Sequence, residues 1–344
     1  MSKNPYSLLF GKEPSESVPR AVQLSKILSE FSDEMPTKQI YVLTGVRGSG
    51  KTVFMSEIST RLSETEDWVV INLNPERDLI QSLASKLSSE DKLSKFFQTA
   101  KINLSFFGLG IEIGGVEPIR DLEVAIEKMV DSIAKNNNRL LITIDEAISS
   151  DYMKIFAHTY QSMLMKGFPV FLLMTGLYEN IHKLKNEKSL TFLYRAPRME
   201  LKPLNVGSMA SNYQKNFKLD LDRARQMAES TRGYSFAFQV LGYFAWENGG
   251  YNETCEEEAY QYLEEYVYEK IWDEMSERDK KMAYGIARSK TGRIKEVREL
   301  LGIESNQFNP YRKRLINKGV VNGSRHGFVV FSLPFFERYV LENY

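Results

Sequence analysis

Eight consecutive residues have the pattern of a phosphate-binding loop. Residues 45–52 read Gly-Val-Arg-Gly-Ser-Gly-Lys-Thr and match G-x-x-x-x-G-K-[ST] in full. Glycines let the backbone curl so that its N–H groups point at phosphate oxygens, and the following helix presents its positive end to the same anion. Lys51 is expected to reach the β- and γ-phosphates and Thr52 to place its hydroxyl on Mg²⁺. The pattern predicts a nucleoside triphosphate site made of Gly45, Val46, Arg47, Gly48, Ser49, Gly50, Lys51, Thr52 and Val53.

Two acidic residues follow an apolar run further along the chain. Residues 140–144 read as a buried strand, and Asp145 and Glu146 come directly after it. The carboxyl end of a parallel strand is where α/β sheets bind ligands. We expect Asp145 to hold Mg²⁺, directly or through water, and Glu146 to polarise the attacking water as general base. An acidic cap between a strand and a helix is the alternative.

Three further polar residues are candidates for the same chemistry. Thr175 ends the next apolar run, where its hydroxyl could bond the attacking water or the γ-phosphate. Arg195 and Arg198 lie shortly before a Leu-Lys-Pro-Leu segment. A guanidinium supplied across a subunit interface can stabilise the charge of phosphoryl transfer, although an exposed arginine on a loop fits the sequence equally well.

The elements that position these residues alternate between strands and helices. Apolar runs at residues 39–44, 68–73, 140–144 and 169–175 are typical of strands buried on both faces of a parallel sheet, with a helix predicted from Lys51 to Leu62. This alternation indicates an α/β fold. Residues 102–113 suggest two short strands around Gly108-Leu109-Gly110, a hairpin that either connects elements or touches a partner.

The last third of the chain changes charge abruptly. Residues 251–275 contain nine acidic residues and one basic residue, whereas residues 276–325 contain thirteen basic and five acidic residues. Either a module begins near residue 275 or two helix faces carry different charges. Three helices are predicted at residues 276–289, 293–301 and 307–318, followed by a hairpin with a turn at Asn322-Gly323.

This order of three helices and a hairpin resembles a winged helix. The third helix carries Arg312, Lys313, Arg314 and Lys318, and Arg325 and His326 lie near the hairpin tip. A basic helix and a basic wing could contact the major groove and flanking phosphates of double-stranded DNA. Winged helices also serve as packing or protein-interaction modules, so both partners stay open.

Together, these residues resemble AAA+ ATPases, most closely the initiator-type branch of origin-recognition proteins and their archaeal relatives, and also the STAND class of signalling NTPases. The resemblance rests on the phosphate loop, on residues 140–146, on Thr175 in the first sensor position and on three further segments. These are residues 4–11 with Val18-Pro-Arg20, similar to a segment near the adenine, residues 201–204, similar to the start of a helical lid, and residues 231–239, similar to the second-sensor region. The second-sensor region departs from the family, because Ser235 stands where a proline is expected and Arg232 precedes Gly233.

The resemblance implies a P-loop core at residues 1–200, a helical lid at residues 201–272 and a winged-helix domain at residues 273–344. It implies binding of ATP and ADP with Mg²⁺, hydrolysis of ATP, use as a nucleotide-dependent switch, and a homo-oligomer or protein partner. A regulatory nucleotide-binding module with little turnover, whose C-terminal domain binds protein, is the alternative.

Composition excludes several other classes of protein. The 344 residues carry equal numbers of acidic and basic side chains, so total charge predicts no polyanion partner. One cysteine allows no internal disulfide, and the three histidines have no zinc-binding spacing. No apolar run approaches the length of a membrane span, and the N-terminus lacks the apolar core of a signal peptide. The expected compartment is the cytoplasm.

Overall fold

The structure, a computed structural model, describes residues 3–9, 11, 14–109, 115–187 and 190–344. The chain forms two compact units. The first, which we call the sheet unit, comprises Ala21–Thr44 and Lys51–Glu200. The second, the helical unit, comprises residues 1–20, Gly45–Gly50 and Leu201–Tyr344. The division into three domains stays a prediction.

The sheet unit is built on five parallel strands in the order β2-β3-β4-β1-β5. This arrangement confirms the predicted α/β fold, because parallel neighbours require the crossover helices that the sequence pattern indicates. The strands are β1 (Ile40–Thr44), β2 (Trp68–Leu73), β3 (Arg139–Ile144), β4 (Val170–Gly176) and β5 (Arg198–Glu200).

Helices cover this sheet, and the central strands are apolar because both of their faces are buried. Every residue of β1 and β4 is buried. One face of the sheet includes an aromatic cluster of Phe31, Tyr41, Trp68 and Phe171. The helices of this unit are α1 (Ala21–Ser32), α2 (Lys51–Ser63), α3 (Leu79–Ser89), α4 (Asp91–Thr99), α5 (Leu122–Lys135), α6 (Asp151–Met165), α7 (Tyr178–Lys185) and α8 (Thr191–Tyr194).

The hairpin expected at residues 102–113 is wrong in its first arm. Residues Ser105–Phe107 form a single 3₁₀ turn that ends at Gly108, which has a left-handed conformation (φ 68°). Ile102 and Leu104 are buried in the core of the sheet unit, so their apolar character comes from packing on helices and not from strand pairing. Residues 110–113, which would form the second arm, lie outside the described residues.

The helical unit consists mainly of helices around its own apolar core. Tyr6, from the N-terminal segment, packs with the rings of Tyr213, Phe217 and Phe238 in this core. No helix in the described part of the chain is both long and apolar enough to cross a membrane. The helices of this unit are α9 (Val206–Phe217), α10 (Leu221–Ser230), α11 (Ser235–Glu247), α12 (Glu253–Leu263), a π-helical turn (Glu264–Tyr268), α13 (Glu269–Asp273), α14 (Glu277–Arg288), α15 (Ile294–Leu301), α16 (Ser305–Asn317) and α17 (Phe336–Asn343).

Helices α14, α15 and α16 occupy the three predicted positions near the C-terminus. Ser276 caps α14 in a capping box with Asp279, as its residue type predicts. Two short antiparallel strands follow, β6 (Val321–Asn322) and β7 (Val330–Phe331). Asn322 lies inside β6, so the connection is longer than the two-residue turn that Asn-Gly suggests.

Candidate functional site

The phosphate loop, Gly45–Gly50, joins β1 to α2 as its sequence predicts. Gly48 and Gly50 have positive φ angles of 75° and 86°, a left-handed conformation that side chains other than glycine rarely adopt. The N–H group of Ser49 donates to the carbonyl oxygen of Val46 at 3.1 Å. Left-handed residues within such a turn direct successive N–H groups into a concave anion-binding surface.

Several residues of the helical unit hold the loop by its carbonyl groups. The hydroxyl of Tyr234 donates to the carbonyl oxygen of Arg47 at 2.6 Å. The hydroxyl of Ser235 and the guanidinium of Arg20 each donate to the carbonyl oxygen of Ser49 at 3.1 Å. The guanidinium of Arg47 pairs with Glu274 at 3.1 Å.

Thr52, Asp145 and Thr175 form a hydrogen-bonded cluster in the sheet unit. The Thr52 hydroxyl donates to Oδ2 of Asp145 at 2.8 Å, and the Thr175 hydroxyl donates to Oδ1 of the same carboxylate. Thr175 is fully buried, and Lys51, the first residue of α2, is 8% exposed. Val53 follows in the first turn of α2 and is half-buried.

The strand order explains why these residues meet. Strand β4 lies between β1 and β3, and Ile144 is paired with Met174. Asp145 and Thr175 directly follow this pair on the two neighbouring strands. They therefore lie side by side at the carboxyl edge of the sheet, where parallel strands bind ligands. The structure thus brings together Thr52, Asp145 and Thr175, which lie far apart in the sequence.

Glu146 is exposed and has a left-handed backbone (φ 51°). Its N–H group donates to the Thr175 hydroxyl and to Oδ1 of Asp145, both at 3.1 Å. In a residue other than glycine this conformation carries backbone strain, and such strain concentrates at functional sites. The turn ends the run of buried side chains in β3 and leaves the Glu146 carboxylate exposed to solvent.

The oxygen atoms of the Thr52–Asp145 pair have the chemistry that Mg²⁺ requires. Mg²⁺ in nucleotide sites typically takes one or two protein oxygens, with phosphate and water oxygens as its other ligands. Among the described residues, no group of three or more His, Cys, Asp or Glu side chains is arranged to hold a metal ion. The Thr52 hydroxyl and the Asp145 carboxylate supply protein oxygens of the kind and number that such a site needs.

The two arginines considered for phosphoryl transfer, and Arg232 of the region similar to a second sensor, have different surroundings. Arg195 is exposed at the end of α8, and Arg198 is exposed in β5, with its guanidinium 5.1 Å from the ring centre of Tyr178. Arg232 donates to the carbonyl oxygens of Phe331 and Leu333, and it also pairs with Glu337. Arg232 therefore fastens the start of α11 to the C-terminal segment of the helical unit.

Three basic residues of the predicted third helix, Arg312, Arg314 and Lys318, divide into two groups, and Lys318 follows directly after α16. Arg314 pairs at 2.6 Å with Asp279, which is 1% exposed, and its guanidinium also donates to the Ser276 hydroxyl at 2.7 Å. Lys318 lies 3.9 Å from the Asp279 carboxylate and donates to the carbonyl oxygen of Glu274. Arg312 instead lines an open groove of about 630 Å³ between α15, α16 and the segment that joins β6 to β7. The other basic side chains of this groove are Arg293, Lys295, Arg298 and His326.

A parallel sheet with a phosphate loop after β1 and an acidic residue after β3 is the arrangement of a P-loop nucleotide-binding fold. The family model described as an ATPase domain predominantly from Archaea matches residues 18–190. The chain belongs to this family of nucleotide-binding ATPases. Residues 265–340 also match a model described as a domain of unknown function. No curated protein matches the sequence.

Solved structures that are similar to this chain match it over nearly its whole length. The Walker-type ATPase PABY2304 of Pyrococcus abyssi is 16% identical with a TM-score of 0.65, and the match covers 94% of this chain and 96% of that one. Cdc6p of Pyrobaculum aerophilum is 14% identical with a TM-score of 0.48, covering 96% and 97%. The ORC1 protein of Aeropyrum pernix, solved in complex with DNA, is 14% identical with a TM-score of 0.43, covering 96% and 94%.

Sequence reasoning missed the residues that hold the loop from the helical unit. Tyr234 and Ser235 stand in the segment that resembles a second sensor, where their hydroxyls gave no signal of a loop contact. Arg20 was expected near an adenine, whereas its guanidinium donates to the carbonyl oxygens of Lys202 and Ser49. A tyrosine directly after a glycine carries too little information for this contact to be predicted from sequence.

Proposed function

We propose that this protein binds ATP with Mg²⁺, hydrolyses it to ADP and phosphate, and uses the cycle as a conformational switch. The observation that supports this most strongly is the placement of Asp145 between the hydroxyls of Thr52 and Thr175. Thr52 is the last residue of the phosphate-loop motif, so this contact joins the motif to the acidic end of β3. Membership of the ATPase-domain family supports the same chemistry.

In this proposal each side chain has one task. The N–H groups of residues 45–52 and the ammonium of Lys51 bind the phosphate oxygens. Glu146 accepts a proton from the attacking water as its oxygen forms a bond to the γ-phosphorus, and the bond from that phosphorus to the oxygen of ADP breaks. Thr175 keeps Asp145 oriented through its hydrogen bond. Thr52 and Asp145 would hold Mg²⁺, which would supply positive charge to stabilise the phosphate oxygens.

The output of the switch is placed at the C-terminal end of the helical unit. We infer that α14, α15, α16 and the β6–β7 pair act as a winged helix that contacts double-stranded DNA through the basic groove. A transition-state role for Arg195 or Arg198 across a subunit interface stays a prediction, because their exposure alone supports no assignment.

The variant Glu146→Gln tests the assignment of the general base. It replaces the carboxylate by a neutral group of the same size, so the variant should bind ATP and Mg²⁺ with unchanged affinity. Hydrolysis should fall by about 100-fold or more, the lower end of the contribution of a positioned base. Release of phosphate in single-turnover assays measures the rate, and calorimetric titration with ADP and ATP measures binding.

Two further variants make this result specific. Glu76→Gln changes an exposed glutamate after the neighbouring strand β2 and should hydrolyse ATP at the wild-type rate. Lys51→Ala should lose nucleotide binding, and unchanged binding in this variant would refute the phosphate-loop assignment. Tight retention of nucleotide by the wild-type protein without measurable turnover would instead support the regulatory module with little hydrolysis.

A further inference from the structure

Three donors of the helical unit, from two places in the chain, bind the phosphate loop by its carbonyl oxygens. The Tyr234 hydroxyl bonds to the carbonyl of Arg47, and the Ser235 hydroxyl and the Arg20 guanidinium share the carbonyl of Ser49. Arg20 also donates to Ser235 at 3.2 Å, so the two donors support each other. Backbone N–H groups bind phosphate oxygens, so these carbonyl oxygens do not contact the phosphates themselves. The geometry of the peptide bond explains how donors to the carbonyls can still affect phosphate binding.

Tyr234 approaches the loop closely. It is 4% exposed, and a β-carbon built on Gly48 would lie 2.1 Å from its hydroxyl oxygen. Glycine at position 48 is therefore needed for the contact as well as for the positive φ angle. Burial raises the pKa of Tyr234 far above its ordinary value, so the hydroxyl stays protonated and remains a donor at neutral pH.

Arg20 binds its partners as a charged group. Burial lowers its pKa to about 10, which leaves the guanidinium protonated at neutral pH. It donates to the carbonyl of Lys202 at 2.7 Å in addition to that of Ser49. A hydrogen bond from a charged donor is stronger than one between neutral groups, so Arg20 holds the carbonyl of Ser49 firmly.

The orientation of a carbonyl fixes the orientation of the next N–H group. A trans peptide is planar, and its C=O and N–H bonds point in opposite directions. A carbonyl of Arg47 that points at Tyr234 therefore turns the N–H of Gly48 away from Tyr234. The carbonyl of Ser49 does the same for the N–H of Gly50. Each donor also polarises its peptide, which makes the N–H a better donor to an anion.

We propose that Tyr234, Ser235 and Arg20 are positioning residues that hold the peptides 47–48 and 49–50 with their N–H groups directed at the phosphates. This inference rests on the proposed binding of ATP and ADP. It gives the segment after Gly233 a role in nucleotide affinity although that segment lacks the proline expected there. The positioning residues act through the backbone and do not themselves contact the nucleotide.

The variant Tyr234→Phe removes one hydroxyl and keeps the buried ring. Affinity for ADP and ATP in magnesium buffer should fall about 3- to 10-fold, the range of one lost hydrogen bond. Because the N–H groups bind the ground state and the transition state alike, KM should rise while kcat stays close to wild type. Ser235→Ala, in a half-buried position, should reproduce the same separation of KM from kcat. Calorimetric titration with ADP and steady-state hydrolysis measure both effects.

Tyr213→Phe is the matched control. The Tyr213 hydroxyl is buried and donates to the carbonyl of Phe238 at 2.7 Å, but it has no hydrogen bond to the loop. Tyr213→Phe should lose about as much thermal stability as Tyr234→Phe, and it should bind ADP with wild-type affinity. If Tyr234→Phe and Ser235→Ala both bound ADP with wild-type affinity while Lys51→Ala lost binding, the positioning role would be refuted and the proposed function would stand. Absence of nucleotide binding by the wild-type protein would overturn the proposed function as well.

Discussion

At the scale of single residues, the Asp145 carboxylate is held by two hydroxyls and one N–H group. Thr175 is central to this arrangement because its hydroxyl oxygen donates to Asp145 and accepts from the N–H of Glu146. One buried side chain thus orients both the residue proposed to hold Mg²⁺ and the residue proposed to act as base. The resemblance led us to expect Thr175 in the first sensor position. It did not predict that the Thr175 hydroxyl would bond to both Asp145 and Glu146.

Thr175→Ala should therefore affect catalysis more than binding. The change leaves the N–H of Glu146 and one oxygen of Asp145 with fewer partners, which costs about 1–3 kcal/mol of stability. Hydrolysis should fall by about 10- to 100-fold, as is typical when a residue that orients a metal ligand is lost. A higher Mg²⁺ concentration for half-maximal rate should accompany the fall.

Thr175→Ser provides the control, since it keeps the hydroxyl and removes one methyl group. It should retain most of the activity and the wild-type Mg²⁺ requirement. If Thr175→Ala hydrolysed ATP at the wild-type rate with an unchanged Mg²⁺ requirement, Thr175 would have no orienting role.

At the scale of elements, α14 and α16 are joined by a buried ion pair. Asp279 is in the first turn of α14, and Arg314 reaches it from α16. Removing Arg314 would leave the buried Asp279 carboxylate with Lys318, 3.9 Å away, as its nearest charge partner, and should cost up to about 3–5 kcal/mol. Arg314 is therefore committed to holding the module together, and substitutions there would confuse loss of folding with loss of DNA binding.

The proposed contact with DNA is better tested at the exposed residues of the basic groove. Arg293→Ala combined with Lys295→Ala removes two charges at the start of α15 without touching Asp279. Affinity for double-stranded DNA should fall, and the slope of log affinity against log salt should decrease in magnitude by about 2, one for each phosphate that the protein no longer neutralises. Fluorescence anisotropy over a series of salt concentrations measures both quantities.

Lys270→Ala combined with Lys281→Ala removes the same charge from exposed positions outside the groove. This pair should bind DNA with nearly the wild-type salt dependence. Equal effects of the two double variants would assign any binding to general charge and would contradict the groove as the contact surface.

At the scale of the whole molecule, the helical unit gathers residues from three distant parts of the chain. The phosphate loop lies in it together with the N-terminal segment and Leu201–Tyr344. Two residues of the C-terminal part lie against the loop. Glu274 pairs with Arg47, and Gly319 faces Val46. The phosphate loop and the C-terminal helices thus belong to one compact unit.

Gly319→Ala tests this link. Gly319 has a φ of 78°, and an added β-carbon would lie 3.2 Å from the β-carbon of Val46. The left-handed conformation costs about 1–2 kcal/mol for a residue other than glycine, and the close contact should displace the loop and weaken binding of ADP. Thermal denaturation with and without ADP and Mg²⁺ measures the two effects.

Gly302→Ala separates conformation from contact. Gly302 caps α15 with a φ of 63°, and a β-carbon there would meet nothing within 4 Å. Gly302→Ala should lose about as much thermal stability as Gly319→Ala, and ADP should stabilise it as much as it stabilises the wild-type protein. If ADP raised the thermal stability of Gly319→Ala and of Gly302→Ala by the same amount, the phosphate loop would not respond to a change at the end of α16.

The sequence by itself determined the four main strands, the phosphate loop and the acidic pair, because burial on two faces and a fixed glycine spacing leave local patterns. The positions of α14, α15 and α16 followed in the same way from their caps and apolar spacing. The first arm of the hairpin near residue 102 was wrong, since a short apolar run has the same composition whether it pairs as a strand or packs on helices.

Tertiary structure decided the partners of individual polar groups. The hydroxyls of Thr175 and Tyr234 and the guanidiniums of Arg20 and Arg314 bind atoms many residues away, and no local pattern encodes such a distance. Strand order placed Thr175 beside Asp145, and the packing of α11 in the helical unit placed Tyr234 on the loop carbonyl. A hydrogen bond depends on where two atoms meet in space, whereas a sequence motif records how far apart residues lie along the chain.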